Sequence, residues 1–318
     1  MLAITTQFKK LIKGFVFSIP FVKKRLVYNE VSLETLTYKV GYEPGHYYSP
    51  IPDLEEIKTN ASEIFSEKKL PEIDLNNATQ LKTLHDLKNH YNSYLYKQNS
   101  IPDEKLRYKK EGAWYRFADS VFLHCMMLQF KPKNIIEIGS GHSSAIMLDV
   151  NERFFNNQIK FTFIEPFPEE RLLKIMRSED QIRNSIISEK AQAVNEDQFK
   201  ILKENDILFI DSTHVSKVGS DVNYLLLEIF PILNPGILIH IHDIFFPFEL
   251  PKHWILNNRW FWNENYLLHA FLLNNKDFEI VAFNSYLLQT DLAWFTREMP
   301  ECTIGREDTG SIWLRKIR

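Results

Sequence analysis

The chain has 318 residues, of which 44% are hydrophobic and 25% charged, and its formal net charge is -3. This composition is ordinary for a folded globular protein and provides no overall basic field for nucleic acid. Its two cysteines, Cys125 and Cys302, lie far apart without a CxxC motif, which argues against a disulfide framework or a thiolate zinc site and fits a reducing, cytoplasmic location.

Residues 1–105 are predicted to form an N-terminal accessory or lid region, followed by the main domain at 106–318. Within residues 8–25, apolar side chains alternate with lysines and an arginine. Such a basic amphipathic segment suits peripheral contact with an anionic membrane surface, and equally packing on the main domain or on a second subunit of a homo-oligomer. No apolar run reaches the roughly 18–20 residues that span a bilayer. The Pro, Gly and Tyr-rich segment 41–53 is predicted to be an irregular loop.

From about residue 109 onward, predicted helices alternate with short apolar strands. Helices are predicted at 113–128, from about 144, and at 222–233, after an earlier polar helix at 77–97. Strands are predicted at 135–138, 161–165, 185–187, 206–211, 236–243, 278–282 and 311–314. This alternation predicts an α/β fold with a mostly parallel sheet and helices on both faces. The continuous apolar character of the strands indicates that both faces of the sheet are buried.

A glycine-rich turn, Gly139-Ser140-Gly141, lies between the first predicted strand and its helix. Glycines at such a turn let the backbone approach a ligand closely, and the following helix offers free N–H groups. Glu165, about 24 residues after Gly141, ends the second strand, where an acidic side chain accepts ribose hydroxyls. The third glycine of a dinucleotide fingerprint is absent, so the pattern favours a nucleoside without a pyrophosphate over a nicotinamide cofactor.

These features resemble the class I S-adenosylmethionine-dependent methyltransferases over about residues 110–318, most closely the bacterial small-molecule type related to catechol and macrocin O-methyltransferases. The resemblance rests on the segment from Glu137 to His142, on Glu165, and on the late paired strands. It implies a Rossmann-like sheet of seven strands with the last one antiparallel, and S-adenosyl-L-methionine as cofactor. The implied cofactor contacts are Glu137, Gly139, Ser140, Gly141, Ser143, Glu165, Gln192 (near the adenine) and Asp211.

Polar side chains end the fourth and fifth predicted strands. Asp211 and His214 follow strand four, and His242 and Asp243 end strand five. Adjacent strands lie about 5 Å apart, so these side chains are predicted to meet at the carboxyl edge of the sheet. Strand alternation places His240 and His242 on one face and Asp243 on the other, unless the strand ends before residue 243.

Three interpretations of this cluster stay open at this point. In the first, Asp211, His242 and Asp243 bind a divalent cation that lowers the pKa of an acceptor hydroxyl. The resemblance then implies His214 as general base, because catechol-type enzymes have a catalytic lysine at that spacing. A histidine ligand favours Mn, Fe or Zn over Mg. In the second, no metal is bound and His214 or His242 takes the proton directly. In the third, the cluster is a structural polar network.

The predicted function is methyl transfer to a small-molecule acceptor, at a hydroxyl oxygen. One alternative keeps the cofactor but uses it for cyclisation or another group transfer, and another is a non-catalytic nucleotide-binding protein. The chain lacks the Asn/Asp-Pro-Pro-aromatic tetrapeptide of amino-directed relatives, which argues with the net charge against a nucleic-acid substrate. Two interpretations of the aromatic segments 245–251 and 260–266 stay open. They wall the acceptor site, with Glu264 or Tyr266 reaching into it, or they pack on the far edge of the sheet.

Overall fold

The computed structural model describes residues 41–66, 68–98 and 103–318. The described residues up to 64 form one compact unit and residues 65–318 form another. The basic amphipathic segment predicted at 8–25 lies outside the described residues. Within the described ranges, no helix combines the length and the apolar character needed to cross a membrane.

A seven-stranded sheet forms the centre of the larger unit, and it confirms the predicted fold class. Its strands are β1 (Asn134–Ile138), β2 (Lys160–Ile164), β3 (Ser185–Ile187), β4 (Ile207–Ile210), β5 (Leu238–His242), β6 (Phe278–Phe283) and β7 (Ser311–Lys316). Their order across the sheet is β3-β2-β1-β4-β5-β7-β6. The first five strands pair in parallel, whereas β7 runs antiparallel to both of its neighbours. This is the Rossmann-like arrangement, with an antiparallel last strand, that the resemblance implied.

Two hydrophobic layers cover the sheet because both of its faces are apolar. Ile135 and Phe209 belong to one layer, while their chain neighbours Ile136 and Leu208 belong to the other. Successive side chains of a strand point to opposite faces, so a strand buried on both sides must be apolar at every position. The buried runs in β1, β4 and β5 therefore specify central strands rather than edge strands.

Helices of the larger unit pack on both faces of this sheet. The described α-helices are α1 (Leu54–Thr59) and α2 (Ala61–Ile64) in the smaller unit, then α3 (Asn77–Tyr91), α4 (Phe117–Phe130), α5 (His142–Phe155), α6 (Leu172–Ile175), α7 (Ser178–Arg183), α8 (Asp221–Tyr224), α9 (Phe230–Ile232), α10 (Glu264–Leu272), α11 (Asn284–Thr290) and α12 (Leu292–Glu298). Helix α3 packs against α4 in the larger unit. The functional division predicted at residue 105, with a lid before it, stays a prediction.

Several helix boundaries differ from those predicted. Helix α5 begins at His142 rather than near Ser144, because the Ser144 hydroxyl accepts the backbone N–H of Gly141 from inside the first turn. The helix predicted at 222–233 is interrupted between α8 and α9 by a wider turn at Leu225–Ile229, whose last bond runs from the N–H of Phe230 to the carbonyl of Leu225. The next residue is Pro231, which has no N–H to continue the regular pattern.

The register between β1 and β4 positions the functional edge. Ile138, the last residue of β1, pairs with Ile210, the last residue of β4. The backbone N–H of Asp211 then donates to the carbonyl of Ile138 at 2.9 Å. The glycine turn that follows β1 and the polar residues that follow β4 consequently lie side by side at the carboxyl edge of the sheet.

Candidate active site

The glycine turn after β1 packs directly on the backbone that follows β4. Gly139 has φ +77°, and a Cβ at this position would lie 1.9 Å from the carbonyl oxygen of Asp211. No side chain fits in that space, and the positive φ is itself unfavourable for residues other than glycine. Glycine at 139 is thus required for the two strand ends to approach each other.

Two of the expected cofactor contacts lie behind this turn. Glu137 is fully buried, and its Oε1 accepts the hydroxyl of Ser143 at 2.6 Å while its Oε2 accepts the hydroxyl of Ser144. Burial raises the pKa of Glu137 to about 8, although these serine hydrogen bonds act in the opposite direction. Glu137 and Ser143 are absent from the lining of the cavity in front of the turn. The two side chains therefore support the turn from beneath, and their contact with the cofactor stays a prediction.

A cavity of about 590 Å³ lies in front of the turn, a volume typical of small-molecule sites. Six of the expected cofactor contacts line it: Gly139, Ser140, Gly141, Glu165, Gln192 and Asp211. Glu165 accepts the backbone N–H groups of Ser140 at 3.1 Å and Phe167 at 2.9 Å. The side-chain amide of Gln192 donates to the carbonyl of Gly219 at 2.8 Å, which fixes the orientation of this side chain.

Three ionisable side chains meet at the neighbouring strand ends. His214 Nε2 lies 3.4 Å from Oδ1 of Asp211 and 3.6 Å from Oδ2 of Asp243. One potential ligand atom from each residue lies within 4.8 Å of the other two, a spacing that suits a single metal ion. Asp243 reaches this cluster because β5 ends at His242 and Asp243 takes φ 55°. The backbone leaves the strand there, so the alternation of faces no longer applies.

The predicted metal set contained His242 in place of His214. In the structure the His242 ring packs on Tyr115, with 4.7 Å between ring centroids, and its Nε2 lies 3.4 Å from Oδ1 of Asp243. His242 thus borders the cluster, but it is not part of the group whose ligand atoms converge. The difference arises because His242 is the last residue of β5, whereas His214 lies in the loop after β4 with φ 58°.

Glu264 holds the opposite side of the His214 ring. This fully buried residue at the start of α10 has its Oε2 2.9 Å from His214 Nδ1. A carboxylate at Nδ1 fixes the tautomer and leaves Nε2 facing Asp211 and Asp243. Of the two aromatic-segment candidates, Glu264 therefore reaches the site. Tyr266 does not, because its hydroxyl donates to Glu249 instead.

The charges of the cluster stabilise one another. Burial raises the pKa of Asp211, but the neighbouring His242 and His214 lower it more, to about 2. Burial lowers the pKa of His214, but its bonds to Asp211 and Glu264 raise it well above its ordinary value. Burial raises the pKa of Asp243 to about 6. In this site a positive charge near His214 Nε2 is favoured, whether it is a proton or a metal ion.

A second cavity, of about 640 Å³, opens over this cluster. One side is a wall of four tryptophans: Trp114, Trp254, Trp260 and Trp262. The rings of Trp260 and Trp262 are stacked with centroids 4.9 Å apart, and Trp262 in turn lies 4.7 Å from the His214 ring. Trp260 and Trp262 precede α10, which begins at Glu264. Of the two aromatic segments, 260–266 thus contributes Trp260 and Trp262 to the wall, whereas no residue of 245–251 lines this cavity.

Asp119 lines the same cavity and was not identified from the sequence. It is buried in α4, where its carboxylate accepts from Ser311 Oγ at 2.6 Å, Asn284 Nδ2 at 2.8 Å and the backbone N–H of Gly310 at 3.2 Å. The available signal was a lone acidic residue within an otherwise apolar helix. Such a residue needs buried partners, which here come from β7 and α11.

The two cavities share one wall. Four residues line both of them: Arg171, Asp211, Ser212 and Thr213. A ligand in the first cavity and a ligand in the second would therefore meet at the end of β4. This geometry suits transfer of a group between two bound molecules.

Comparison with known proteins identifies similar chains. Residues 136–244 match the family model described as "Methyltransferase domain". An uncharacterised protein of Archaeoglobus fulgidus is 31% identical over 190 residues, which cover 58% of this chain and 84% of the relative.

Three solved structures are also similar. The SAH-bound Podospora anserina methyltransferase PaMTH1 aligns with a TM-score of 0.42 at 16% identity, covering 80% of this chain and 100% of that chain. TomG, an O-methyltransferase of Streptomyces achromogenes in complex with SAM, aligns with a TM-score of 0.40 at 11% identity, covering 82% of this chain and 96% of that chain. The O-methyltransferase of Bacillus cereus in complex with SAH aligns with a TM-score of 0.39 at 12% identity, covering 84% of this chain and 100% of that chain.

Proposed function

Because this chain belongs to the methyltransferase family whose domain matches residues 136–244, we propose that it transfers the methyl group of S-adenosyl-L-methionine to a hydroxyl oxygen of a small molecule. The observation that carries this proposal is the shared wall at Asp211. The cavity over the glycine turn would hold the donor, the tryptophan-walled cavity would hold the acceptor, and the two adjoin at this residue.

The first cavity fits the cofactor in three respects. Gly139 keeps the turn close to the end of β4, Glu165 lines the cavity at the end of β2, and the amide of Gln192 is fixed at the far side. The hydroxyl of Ser140 is also in the lining, where it lies beside the buried carboxylate of Glu137.

The acceptor side supplies the groups that a hydroxyl acceptor needs. Alignment of the oxygen with the sulfonium methyl contributes much of the rate, and the tryptophan wall and the cluster below it would hold the acceptor against Asp211. His242 lines this cavity, and its Nε2 lies 3.4 Å from Oδ1 of Asp243. A proton accepted by this nitrogen would be held against a carboxylate.

We further propose that Asp211, His214 and Asp243 hold a divalent cation. Three carboxylates, those of Asp211, Asp243 and Glu264, surround the imidazole of His214, and such a buried group of anions requires compensating positive charge. The donor set of two carboxylate oxygens and one imidazole nitrogen suits Mn, Fe or Zn. A bound cation would lower the pKa of the acceptor hydroxyl.

Isothermal titration calorimetry of the full chain with S-adenosylhomocysteine and with NAD tests the donor site. We expect affinity for S-adenosylhomocysteine and at least about 100-fold weaker binding of NAD; the reverse preference, or no affinity for either, would contradict the proposal. Glu165→Gln should weaken S-adenosylhomocysteine binding, whereas Glu170→Gln, an exposed residue outside the cavity lining, should not. The full chain is then incubated with S-adenosyl-L-methionine labelled with ¹³C at the methyl group and with a pair of acceptors that differ in carrying a hydroxyl or an amine. The ¹³C chemical shift of the transferred methyl group identifies the atom that is methylated.

A further inference from the structure

A small cavity of about 170 Å³ adjoins the tryptophan-walled cavity, and Arg116 lines both of them. Arg116 immediately precedes α4, and Asp119 in the first turn of that helix also lines the larger cavity. The small cavity therefore begins beside the compartment proposed for the acceptor. Its volume is too small for a whole substrate and suits a compact group at the end of one.

The lining of this small cavity carries a net positive charge. Among the described residues it contains two cations, Arg116 and Lys110, and one carboxylate, that of Glu301. Neither cation forms an ion pair or a hydrogen bond through its charged group with any described residue. Burial lowers the pKa of Lys110, and the opposite effect of Glu111 is smaller. The ammonium group would therefore be stabilised by an anion beside it.

The guanidinium of Arg116 is held by a ring rather than by a carboxylate. Its central carbon lies 4.5 Å from the centroid of the Phe117 ring, and Phe117 lines the small cavity too. An aromatic face attracts the guanidinium without occupying its N–H groups. These N–H groups therefore stay available to a ligand.

Three tyrosines also line the small cavity, and the hydroxyl of each is already hydrogen-bonded within the protein: Tyr94, Tyr96 and Tyr108. Their rings contact one another at centroid distances of 5.6 Å and 4.7 Å, which gives the cavity a packed wall. The strongest donors left for a ligand are consequently Arg116 and Lys110. Both groups are donors only, so the ligand group that they suit is an anionic acceptor of hydrogen bonds.

We propose that the methyl acceptor carries an anionic group, a carboxylate or a phosphate, on an arm that extends into the small cavity, where Arg116 and Lys110 bind it. This inference rests on the proposed function and specifies its acceptor class. The stacked rings of Trp260 and Trp262 suit a planar ring as the other end of this acceptor. Arg116 and Lys110 then determine specificity, because they hold the acceptor by the end that is not methylated.

The test uses a series of 4-hydroxyphenylalkanoates with one to four methylenes between the ring and the carboxylate, each compared with its carboxamide. Both are titrated calorimetrically into the full chain, with and without S-adenosylhomocysteine. At the best chain length we expect the carboxylate to bind at least about tenfold more tightly than the carboxamide, the range of a charge-assisted hydrogen bond. The phosphate monoester of the matching 4-hydroxyphenylalkanol shows which of the two anions is preferred.

Substitutions then assign the preference to the two cations. Arg116→Gln and Lys110→Gln should each remove most of the preference for the anion and leave carboxamide affinity within about twofold. Arg116→Lys should keep part of the preference, because it keeps the charge. Lys109→Gln is the matched control, since Lys109 is adjacent in the chain but lines neither cavity, and it should leave the preference unchanged.

Affinity for S-adenosylhomocysteine, measured on every variant, separates this inference from the proposed function. It should not change, because Arg116 and Lys110 do not line the donor cavity, and it shows that each variant is folded. Equal binding of carboxylate, phosphate and carboxamide, no binding by any of them, or an unchanged preference in both glutamine variants would overturn the anionic subsite and leave the donor site in place. If the unmodified protein has no affinity for S-adenosylhomocysteine, the proposed function fails as well.

Discussion

Glu264 Oε2 lies 2.9 Å from Nδ1 of His214, although the two residues are fifty positions apart in the chain. The backbone holds the same two segments together, because the N–H groups of Asn263 and Glu264 both donate to the carbonyl of His214. The start of α10 therefore fixes the ring and the backbone of His214 together. Whatever binds at Nε2 depends on this arrangement.

Glu264→Gln should weaken binding of Mn²⁺ by about 10 to 100-fold, because the amide keeps the size of the side chain but not the charge that orients the imidazole. Electron paramagnetic resonance of free Mn²⁺ during a titration measures the affinity. Affinity for S-adenosylhomocysteine should be unchanged, since Glu264 does not line the donor cavity. An unaltered Mn²⁺ affinity would show that the carboxylate does not act through His214.

Asp243→Asn should abolish measurable Mn²⁺ binding, because it removes one of three converging ligands. Asp308→Asn is the matched control. Asp308 lines the same cavity, but Oδ1 is 2.8 Å from both His253 Nε2 and the indole nitrogen of Trp254. Its substitution should leave Mn²⁺ affinity intact. Equal binding by the Asp243 variant and the unmodified protein would sink the proposed cation site.

Gly139→Ala should destabilise the protein far more than Gly219→Ala. Both glycines have positive φ, +77° and +70°, and so pay the same conformational penalty of about 1 kcal/mol for an alanine. Only at Gly139 would the new Cβ meet backbone, 1.9 Å from the carbonyl of Asp211, while at Gly219 nothing lies within 4 Å. Urea denaturation compares the two variants. Similar urea midpoints for the two variants would mean that the ends of β1 and β4 can move apart without a loss of stability.

Acid should destabilise the protein partly through His124. Burial, with a smaller effect from His90, lowers the pKa of His124 to about 3. The unfolded chain, with a pKa of about 6.5 for this group, then binds more protons between pH 3 and 6.5, so stability falls as the pH falls through that window. From pH 7.5 to pH 5 the loss is on the order of 2 kcal/mol.

The variant His124→Gln removes this titration and should lose correspondingly less stability over the same interval. Urea denaturation at the two pH values measures the difference. His85→Gln is the control, because His85 is exposed on α3 and should leave the pH dependence unaltered. If His124→Gln and the unmodified protein lose the same free energy, His124 is not the group responsible.

The sheet and the donor cavity were predictable from the sequence because they depend on local patterns. The apolar runs of β1, β4 and β5 specify buried strands, and Gly139 with Glu165 marks the cavity beyond them. The site residues that escaped prediction depend on tertiary contacts instead. Asp119 is brought to the cavity by the packing of its helix, and Arg171 belongs to no motif.

The proposed metal ligands also could not be chosen from the sequence pattern of β5 alone. Alternation along β5 predicts which way His242 points, and it does so correctly only up to the end of the strand. Asp243 turns into the cluster through a positive φ that no periodic pattern reveals, and His214 does so in the loop after β4. The choice between His214 and His242 therefore required the backbone conformation.

The partition at Asp211 has a practical consequence for inhibition. Arg171, Asp211, Ser212 and Thr213 line both cavities. If the proposed donor and acceptor sites are correct, an adenosine joined by a short linker to an aromatic ring that stacks on tryptophan should fill both cavities at once. Tethering of this kind converts the second association into an intramolecular one, so affinity should rise well above that of either fragment. Shortening or lengthening the linker by single methylenes would map the gap that the travelling methyl group crosses.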